Sequence, residues 1–131
     1  MIFELATGDY LFDPKADEKG FYGRDEDHLA LIAELCGPFP LEVTQHGRVA
    51  SQYFDAEGYF RNIPKLDYWP LYDVLHQKYK FRSQDAKDFA HFLACMLQVD
   101  PSKRASAKQM LIHPWLHITA KDKNGCVVCV C

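Results

Sequence analysis

The sequence predicts an all-α fold, and three observations lead to this prediction. Apolar residues recur with the spacing of a helix in two stretches, residues 29–36 and residues 89–97. Ser106 is followed three residues later by Gln109, the pair that forms a capping box at the start of a helix. No stretch alternates apolar and polar residues over the length of a convincing strand. We therefore expect four or five helices.

The chain begins with a short stretch, Met1 to Thr7, that is apolar on most sides. It stops at Gly8, a residue that readily adopts the left-handed conformation found at helix ends. We predict the final turns of a buried helix here. A helix that is apolar all round needs neighbours on every side, and we expect those neighbours to be missing. Residues 13–23 are polar and rich in turn-forming residues, which predicts a loop.

A second helix is predicted after this loop, with Asp25 as its N-cap. Its apolar stripe lies at spacings i, i+3, i+4 and i+7 and consists of Leu29, Ile32, Ala33 and Cys36. Gly37 and Pro38 should end it. Asp27 and Glu34 are seven residues apart, so the helix places both carboxylates on one face, away from the stripe.

The remaining elements follow in order. Residues 38–68 contain scattered aromatic residues without a clean period, and we predict irregular, packed structure. Pro70 suits the first position of the next helix, and Lys78 should project beside its buried side. Ser83 is predicted to cap a longer helix that ends at Asp100 and Pro101. The last helix should begin at Ser106 and close before His113 and Pro114.

Composition limits the class of protein. With 131 residues, 48% of them apolar and 25% charged, the chain has the balance of one globular domain. No apolar run reaches the length of a membrane span, and we expect no membrane association. The five cysteines do not form the framework of a small secreted protein, so we expect an intracellular protein with reduced thiols.

Charge is distributed unevenly along the chain. Residues 1–34 carry nine acidic and three basic residues, a net charge of −6, although the whole chain carries only −3. A negative field of this kind favours a basic partner and repels the phosphates of nucleic acid. The alternative interpretation is a solvated helix face with no partner.

The end of the chain carries the most specific pattern. The run from Asp100 to Ser106, followed by the run from His113 to Leu116, resembles the closing signature of eukaryotic protein kinases. In that family the arginine at the position of Arg104 pairs with the glutamate of an Ala-Pro-Glu sequence, which this chain does not contain. The resemblance therefore implies structural roles for Arg104 and Trp115, with Arg104 lacking its usual partner.

Three other stretches resemble the SR-protein kinases of the CMGC group: residues 4–12, residues 24–34 and residues 53–79. The last of these resembles the insert that CMGC kinases carry between helices G and H. The resemblance covers residues 1–118 and implies the helical C-terminal portion of the large lobe, from the end of helix F through helix I. Residues 119–131 are then a separate cysteine-containing tail.

The resemblance implies phosphorylation of serines in Arg/Ser-rich splicing factors, in the cytoplasm and the nucleus. It also implies a docking groove for basic peptides within this segment. By position, the groove residues are Asp9, Asp27 and Glu34, with Lys78 across the groove. A carboxylate suits this task because the arginine fork can donate two hydrogen bonds to it.

The residues that perform phosphoryl transfer are not found in this sequence. A kinase needs a glycine-rich loop, a strand lysine, a catalytic aspartate and metal-binding side chains. The runs Gly23-Arg24-Asp25 and Asp88-Phe89-Ala90 resemble parts of that machinery, but we interpret them as a helix start and a helix interior. We therefore predict no catalytic, cofactor or metal residues in this chain, and we expect it to be inactive alone. The resemblance implies that the full-length family uses ATP and Mg²⁺.

The tail leaves alternatives open. Its final Cys-x-Cys could be prenylated, or Cys126 and Cys129 could join His113 and His117 on zinc, although Pro114 interrupts the helix that those histidines would share. The other histidines show no ligand spacing, and an unpaired, solvent-accessible tail is the simpler interpretation.

Three hypotheses follow for the chain as a whole. It is a partial kinase that is enzymatic only at full length, a stand-alone module that binds basic Arg/Ser-rich peptides, or a truncation product that cannot fold.

Overall fold

The computed structural model describes residues 1–117, 120–121 and 127–128. Its elements are helical up to residue 117, in agreement with the predicted all-α fold. A two-residue antiparallel pair in the tail, which was not predicted, joins Ala120–Lys121 (β1) to Val127–Val128 (β2). The α-helices are α1 (Ile2–Thr7), α2 (Arg24–Cys36), α3 (Leu41–His46), α4 (Ala50–Tyr53), α5 (Leu71–Asp73), α6 (Ser83–Met96) and α7 (Ala107–Met110). A π-helical segment, Val74–Lys78, continues α5, and a 3₁₀ turn covers Pro114–His117.

The core is built around α6. Phe89 is 1% exposed at its centre, and Leu75 of the π-helical segment is fully buried against the same cluster. Trp115 covers this cluster from the 3₁₀ turn, with its ring 4.8 Å from that of Phe89 and 4.6 Å from that of Phe92. The apolar stripe predicted for residues 89–97 therefore does face the core, since its aromatic members are buried.

The start of α2 differs from the prediction. Gly23, not Asp25, is the N-cap residue, and the Asp25 side chain makes no capping hydrogen bond. Asp25, Glu26 and Asp27 instead occupy the first turn, where carboxylates interact favourably with the positive end of the helix dipole. The predicted end at Gly37 is confirmed, because Gly37 caps the helix through a hydrogen bond from its N–H to the Ala33 carbonyl.

The connection from residue 38 to residue 70 is more regular than predicted. It contains α3 and α4, which are too short to show a helical period in the sequence. Phe54 pairs with Phe60 in an isolated β-bridge, and their rings lie 4.8 Å apart. Gly58 turns the chain between them with a φ of 85°, a left-handed conformation that favours glycine.

A buried carboxylate fastens this connection to α2. Glu26 is 3% exposed and accepts two hydrogen bonds from Asn62, at 3.1 Å from the backbone nitrogen and 2.9 Å from the side-chain nitrogen. Both carboxylate oxygens are thus satisfied, as a buried charged group requires. The sequence analysis did not identify Glu26 as a buried residue.

The ends of the C-terminal helices show one confirmed and two incorrect predictions. The capping box of Ser106 and Gln109 is present at the start of α7. Arg82, not Ser83, is the N-cap of α6, and the Ser83 hydroxyl lies 3.1 Å from the hydroxyl of Tyr72. The helix ends at Met96, earlier than predicted.

Helix α1 ends at Gly8 as predicted, with a φ of 84°. Only one side of α1 is covered in the described part of the chain. Phe3 is 4% exposed and meets Tyr79 edge to face at 5.5 Å, while Leu5 is 82% exposed. Among the described residues, the helices are all too short or too polar to cross a membrane.

Candidate functional site

A cavity of about 240 Å³ lies where α2, the π-helical segment and the chain on either side of them meet. Glu34 reaches it from α2 and Lys78 from the π-helical segment. Two of the four predicted docking residues therefore line one cavity, although they are 44 positions apart in the sequence. Aromatic and apolar side chains form most of the remaining wall: Phe3, Tyr10, Leu11, Phe12, Leu31, Leu35, Trp69, Val74 and Tyr79.

Asp9 lies beside this cavity and contacts its wall. Its carboxylate accepts a 2.8 Å hydrogen bond from the Tyr79 hydroxyl and lies 3.5 Å from the Lys78 ammonium group. The Tyr79 hydrogen bond, and secondarily Lys78, hold the pKa of Asp9 below its usual value. The neighbouring Tyr79, whose ring centroid lies 4.8 Å from the ammonium nitrogen, raises the pKa of Lys78, and the charge of Asp9 adds to the rise. Asp9 and Lys78 are therefore a solvent-exposed ion pair, both charged at neutral pH.

Glu34 connects α2 to the segment before α5. Its side chain accepts a 2.9 Å hydrogen bond from the Asp67 backbone N–H, and its backbone carbonyl accepts one of 3.1 Å from the Trp69 N–H. These two bonds hold residues 67–69 along the edge of the cavity. As a result Asp67 also lines the cavity.

Asp27 is placed differently from the other three predicted residues. It lies outside the cavity lining, and its carboxylate accepts a 2.8 Å hydrogen bond from the Lys15 backbone N–H. Its negative charge nevertheless acts together with that of Glu34, as the pKa of Tyr22 indicates. Partial desolvation raises the pKa of Tyr22, and the charges of Asp27, Asp17 and Glu34 add to the rise. We use the name acidic groove for Asp9, Asp17, Asp27, Glu34 and Asp67 together with Lys78.

Sequence reasoning missed two carboxylates of this groove, Asp17 and Asp67, and it missed Trp69 in the cavity wall. Asp67 reaches the cavity from a loop, and Asp17, also in a loop, acts through its charge on Tyr22, so no periodicity could show that these side chains belong together. Asp67 is 80% exposed and lies 2.8 Å from Lys65, so it is partly neutralised. Trp69 lines the cavity and is 41% exposed. The one available signal was the negative balance of residues 1–34, which includes Asp17 but not the other two.

Arg104 lies on the surface of the structure. Its Nε donates a 2.9 Å hydrogen bond to the Gln98 carbonyl, and a second nitrogen lies 3.5 Å from the Val99 carbonyl. Within residues 1–117 it makes no ion pair with a carboxylate. The guanidinium thus closes the loop that follows α6.

Both sequences that resemble catalytic elements lie in helices. Asp88, Phe89 and Ala90 are inside α6, with Phe89 buried in the core. Gly23 to Asp25 form the start of α2. The interpretation of both runs as helical is confirmed.

A second cluster of polar side chains is formed by α6 and the segment after α7. The sequence analysis found no ligand spacing for His91, yet the fold places His91, Cys95 and His113 together, with ligand atoms all within 4.8 Å of one another. His91 and Cys95 are four residues apart on α6, a spacing that was visible in the sequence. The predicted partners Cys126 and Cys129 lie outside the described residues.

Comparison with known proteins identifies relatives over most of the chain. No family model matches it. It is 49% identical to the serine/threonine-protein kinase SKY1 of Saccharomyces cerevisiae over 119 residues, which are 91% of this chain and 16% of the relative. It is 47% identical to SRSF protein kinase 3 of Homo sapiens over 117 residues, 89% of the chain and 20% of the relative.

A third relative extends the same pattern. The protein kinase dsk1 of Schizosaccharomyces pombe is 44% identical over 120 residues, 92% of this chain and 22% of the relative. The chain thus spans only about a fifth of the length of these curated relatives. Over nearly its whole length the chain is homologous to one segment of the SR-protein kinases, which are CMGC serine/threonine kinases.

Proposed function

We propose that this chain carries the substrate-docking groove of an SR-protein kinase and binds basic, Arg/Ser-rich protein segments there. The observation that carries the proposal is the convergence of Glu34 and Lys78 on one cavity, with Asp9 and Asp67 at its edge. The names of the relatives that refer to SRSF proteins support the substrate class.

The chemistry of the groove suits arginine better than lysine. A guanidinium group is planar and donates two parallel hydrogen bonds to a carboxylate such as that of Glu34. The same plane can stack on an aromatic face, and Tyr10, Trp69 and Tyr79 all line the cavity. A lysine side chain makes neither contact in the same way. The acidic groove should therefore discriminate arginine-rich from lysine-rich peptides of equal charge.

Lys78 has a distinct role in this proposal. Its ammonium group already neutralises part of the negative charge of the groove through its 3.5 Å contact with Asp9. An incoming arginine therefore competes with Lys78 for the Asp9 carboxylate, while Glu34 has no lysine or arginine within salt-bridge distance in residues 1–117. Glu34 should consequently contribute more to peptide affinity than Asp9.

The phosphate-transfer step is assigned in this proposal to the full-length protein. We propose that residues 1–118 correspond to the large lobe from the end of helix F through helix I, including the CMGC insert. Transfer of phosphate from ATP with Mg²⁺ to serine would then require the rest of a kinase domain. The homology over only part of each relative supports this division.

Fluorescence anisotropy with a labelled Arg-Ser repeat peptide tests the docking proposal. We expect the 131-residue chain to bind it in a salt-sensitive manner and more tightly than a Lys-Ser repeat of equal length. Replacing both Asp27 and Glu34 by Ala should weaken binding, whereas Glu42→Ala, an exposed residue on α3, should not. Equal affinity for both peptides, or an unchanged affinity of the double variant, would contradict the proposal.

Thermal unfolding of the same chain distinguishes the alternative interpretations. A cooperative thermal transition together with peptide binding supports a module that works by itself. Absence of a cooperative transition supports a truncation product, and the groove must then be tested in the full-length kinase.

A further inference from the structure

Three potential metal ligands converge at the C-terminal side of the core. His91 and Cys95 are one turn apart on α6, so both side chains lie on the same face of the helix. His113 follows α7, and its Nε2 lies 2.7 Å from Nδ1 of His91. The two imidazole rings stack with their centroids 4.9 Å apart. The fold therefore brings two imidazoles and one thiol to a single point.

We propose that His91, Cys95 and His113 bind one Zn²⁺ ion, and that this ion ties the segment after α7 to α6. Two histidines and a cysteine form a ligand set that zinc prefers, with Zn–N bonds of about 2.0–2.1 Å and a Zn–S bond of about 2.3 Å. Tetrahedral angles would then separate the two nitrogens by about 3.3 Å and each nitrogen from the sulfur by about 3.5 Å.

The observed positions are close to those separations. The distance between the two histidine nitrogens, now 2.7 Å, must increase slightly. The distances from the Cys95 sulfur to these nitrogens, now within 4.8 Å, must come to about 3.5 Å. Rotation of exposed His91 can supply such shifts without moving the helix, since its side chain is at the surface. Cys95 and His113 are partly buried, so these two ligands can adjust only by small changes of their side-chain torsions.

A fourth ligand position is open to solvent. A cavity of about 220 Å³ borders both histidines and is also lined by Asp88, Pro114 and Trp115. It can admit the ion and leave a water molecule in the fourth position. Asp88 lies one turn before His91 on α6 and accepts a 2.9 Å hydrogen bond from Gln84. It can therefore orient that water without being a ligand itself.

The hydrogen bonds of His113 predict what changes on binding. Its Nδ1 accepts a 3.1 Å hydrogen bond from the Trp115 backbone N–H, so in a neutral ring the proton is on Nε2 and is donated to His91. Zinc at Nε2 requires that proton to be carried on Nδ1, which breaks the bond from Trp115. The Cys95 thiol releases its proton to solvent as the Zn–S bond forms. Zinc binding should thus alter the surroundings of Trp115.

Metal titration of a single-cysteine variant tests the proposal. Cys36 and the tail cysteines Cys126, Cys129 and Cys131 are replaced by Ser, which leaves Cys95 as the only thiol. We expect this variant to bind one Zn²⁺ by calorimetry and to give a cobalt–thiolate charge-transfer band with Co²⁺. With Trp69→Phe added, zinc should change the fluorescence of Trp115, the remaining tryptophan.

Ligand variants complete the test. His91→Ala and Cys95→Ser should each weaken zinc binding about ten-fold or more, since even residues that only support a ligand contribute that much. His91 is exposed, so its replacement should leave the fold intact and its circular dichroism unchanged. No binding by the single-cysteine variant, or unchanged affinity in His91→Ala, would overturn the proposal. Binding that disappears only when the tail cysteines are removed would also overturn it and place the metal in the tail.

Discussion

The Tyr79 hydroxyl donates a 2.8 Å hydrogen bond to the Asp9 carboxylate, although the two residues are 70 positions apart. This contact joins the turn after α1 to the end of the π-helical segment. It also fixes Asp9 beside Lys78 at the edge of the acidic groove. The position of one predicted docking residue therefore depends on a tyrosine that the sequence analysis did not connect with it.

Tyr79→Phe should raise the pKa of Asp9 towards its usual value of 3.8, because the largest cause of the lowered pKa is removed. A lowered carboxyl pKa stabilises the folded chain above that usual value, and the contribution is lost as the pH falls through the lower, folded-state pKa. The Tyr79→Phe variant should therefore lose part of this pH-dependent contribution to the free energy of unfolding.

Carbon-detected NMR titration of the Asp9 carboxyl measures the change directly. Tyr10→Phe is the matched control, because Tyr10 lines the same cavity, is 72% exposed and has no hydrogen bond to Asp9. An Asp9 pKa that is the same in the native chain and in Tyr79→Phe would show that the hydrogen bond does not govern its ionisation.

Glu26→Ala should destabilise the chain by about 1–3 kcal/mol, because it removes both hydrogen bonds that Asn62 donates to this buried carboxylate. The midpoint of urea unfolding should fall while the slope stays the same. Asp25→Ala, at an exposed neighbouring position, should shift the midpoint far less. Similar effects of the two substitutions would argue against Glu26 as the anchor of the connection.

Gly58→Ala and Gly20→Ala separate backbone strain from steric contact. Both glycines have a positive φ, 85° and 78°, so alanine should cost about 1–2 kcal/mol at each. Only at Gly58 would the new Cβ meet other atoms, at 3.1 Å from the Thr44 hydroxyl and 3.2 Å from Leu41. We expect the larger loss of thermal stability at Gly58, and an equal loss at both sites would exclude a steric contribution.

Trp115→Ala should cost about 3 kcal/mol, the lower end for removal of an aromatic core residue, because Trp115 stacks on two buried rings but is itself only partly buried. The free energy of unfolding by guanidinium measures this. Trp69→Ala is the comparison, since Trp69 is 41% exposed and its hydrogen bond to Glu34 comes from the backbone. Equal losses for the two tryptophans would contradict the position of Trp115 over the core.

Helix α6 and the capping box of α7 were predictable because their information is local. An apolar stripe with helical spacing identifies the buried face, and Ser106 with Gln109 satisfies backbone groups only three residues away. Helix ends were less predictable. Whether Asp25 or Gly23 caps α2 depends on small differences in local hydrogen bonding that several residue types can satisfy.

In the acidic groove, too, some features follow from local sequence and others from long-range contacts. The sequence by itself determined that Asp27 and Glu34 share one face of α2, because this follows from helical geometry. It also determined the net negative charge of residues 1–34 and the family resemblance. Only the tertiary structure decided that Asp67 joins the groove and that Tyr79 binds Asp9. The same is true of the contact between buried Glu26 and Asn62 and of the contact between His91 and His113. These contacts join residues that lie between 22 and 70 positions apart, and packing of the connecting segments determines them, so no local period records them.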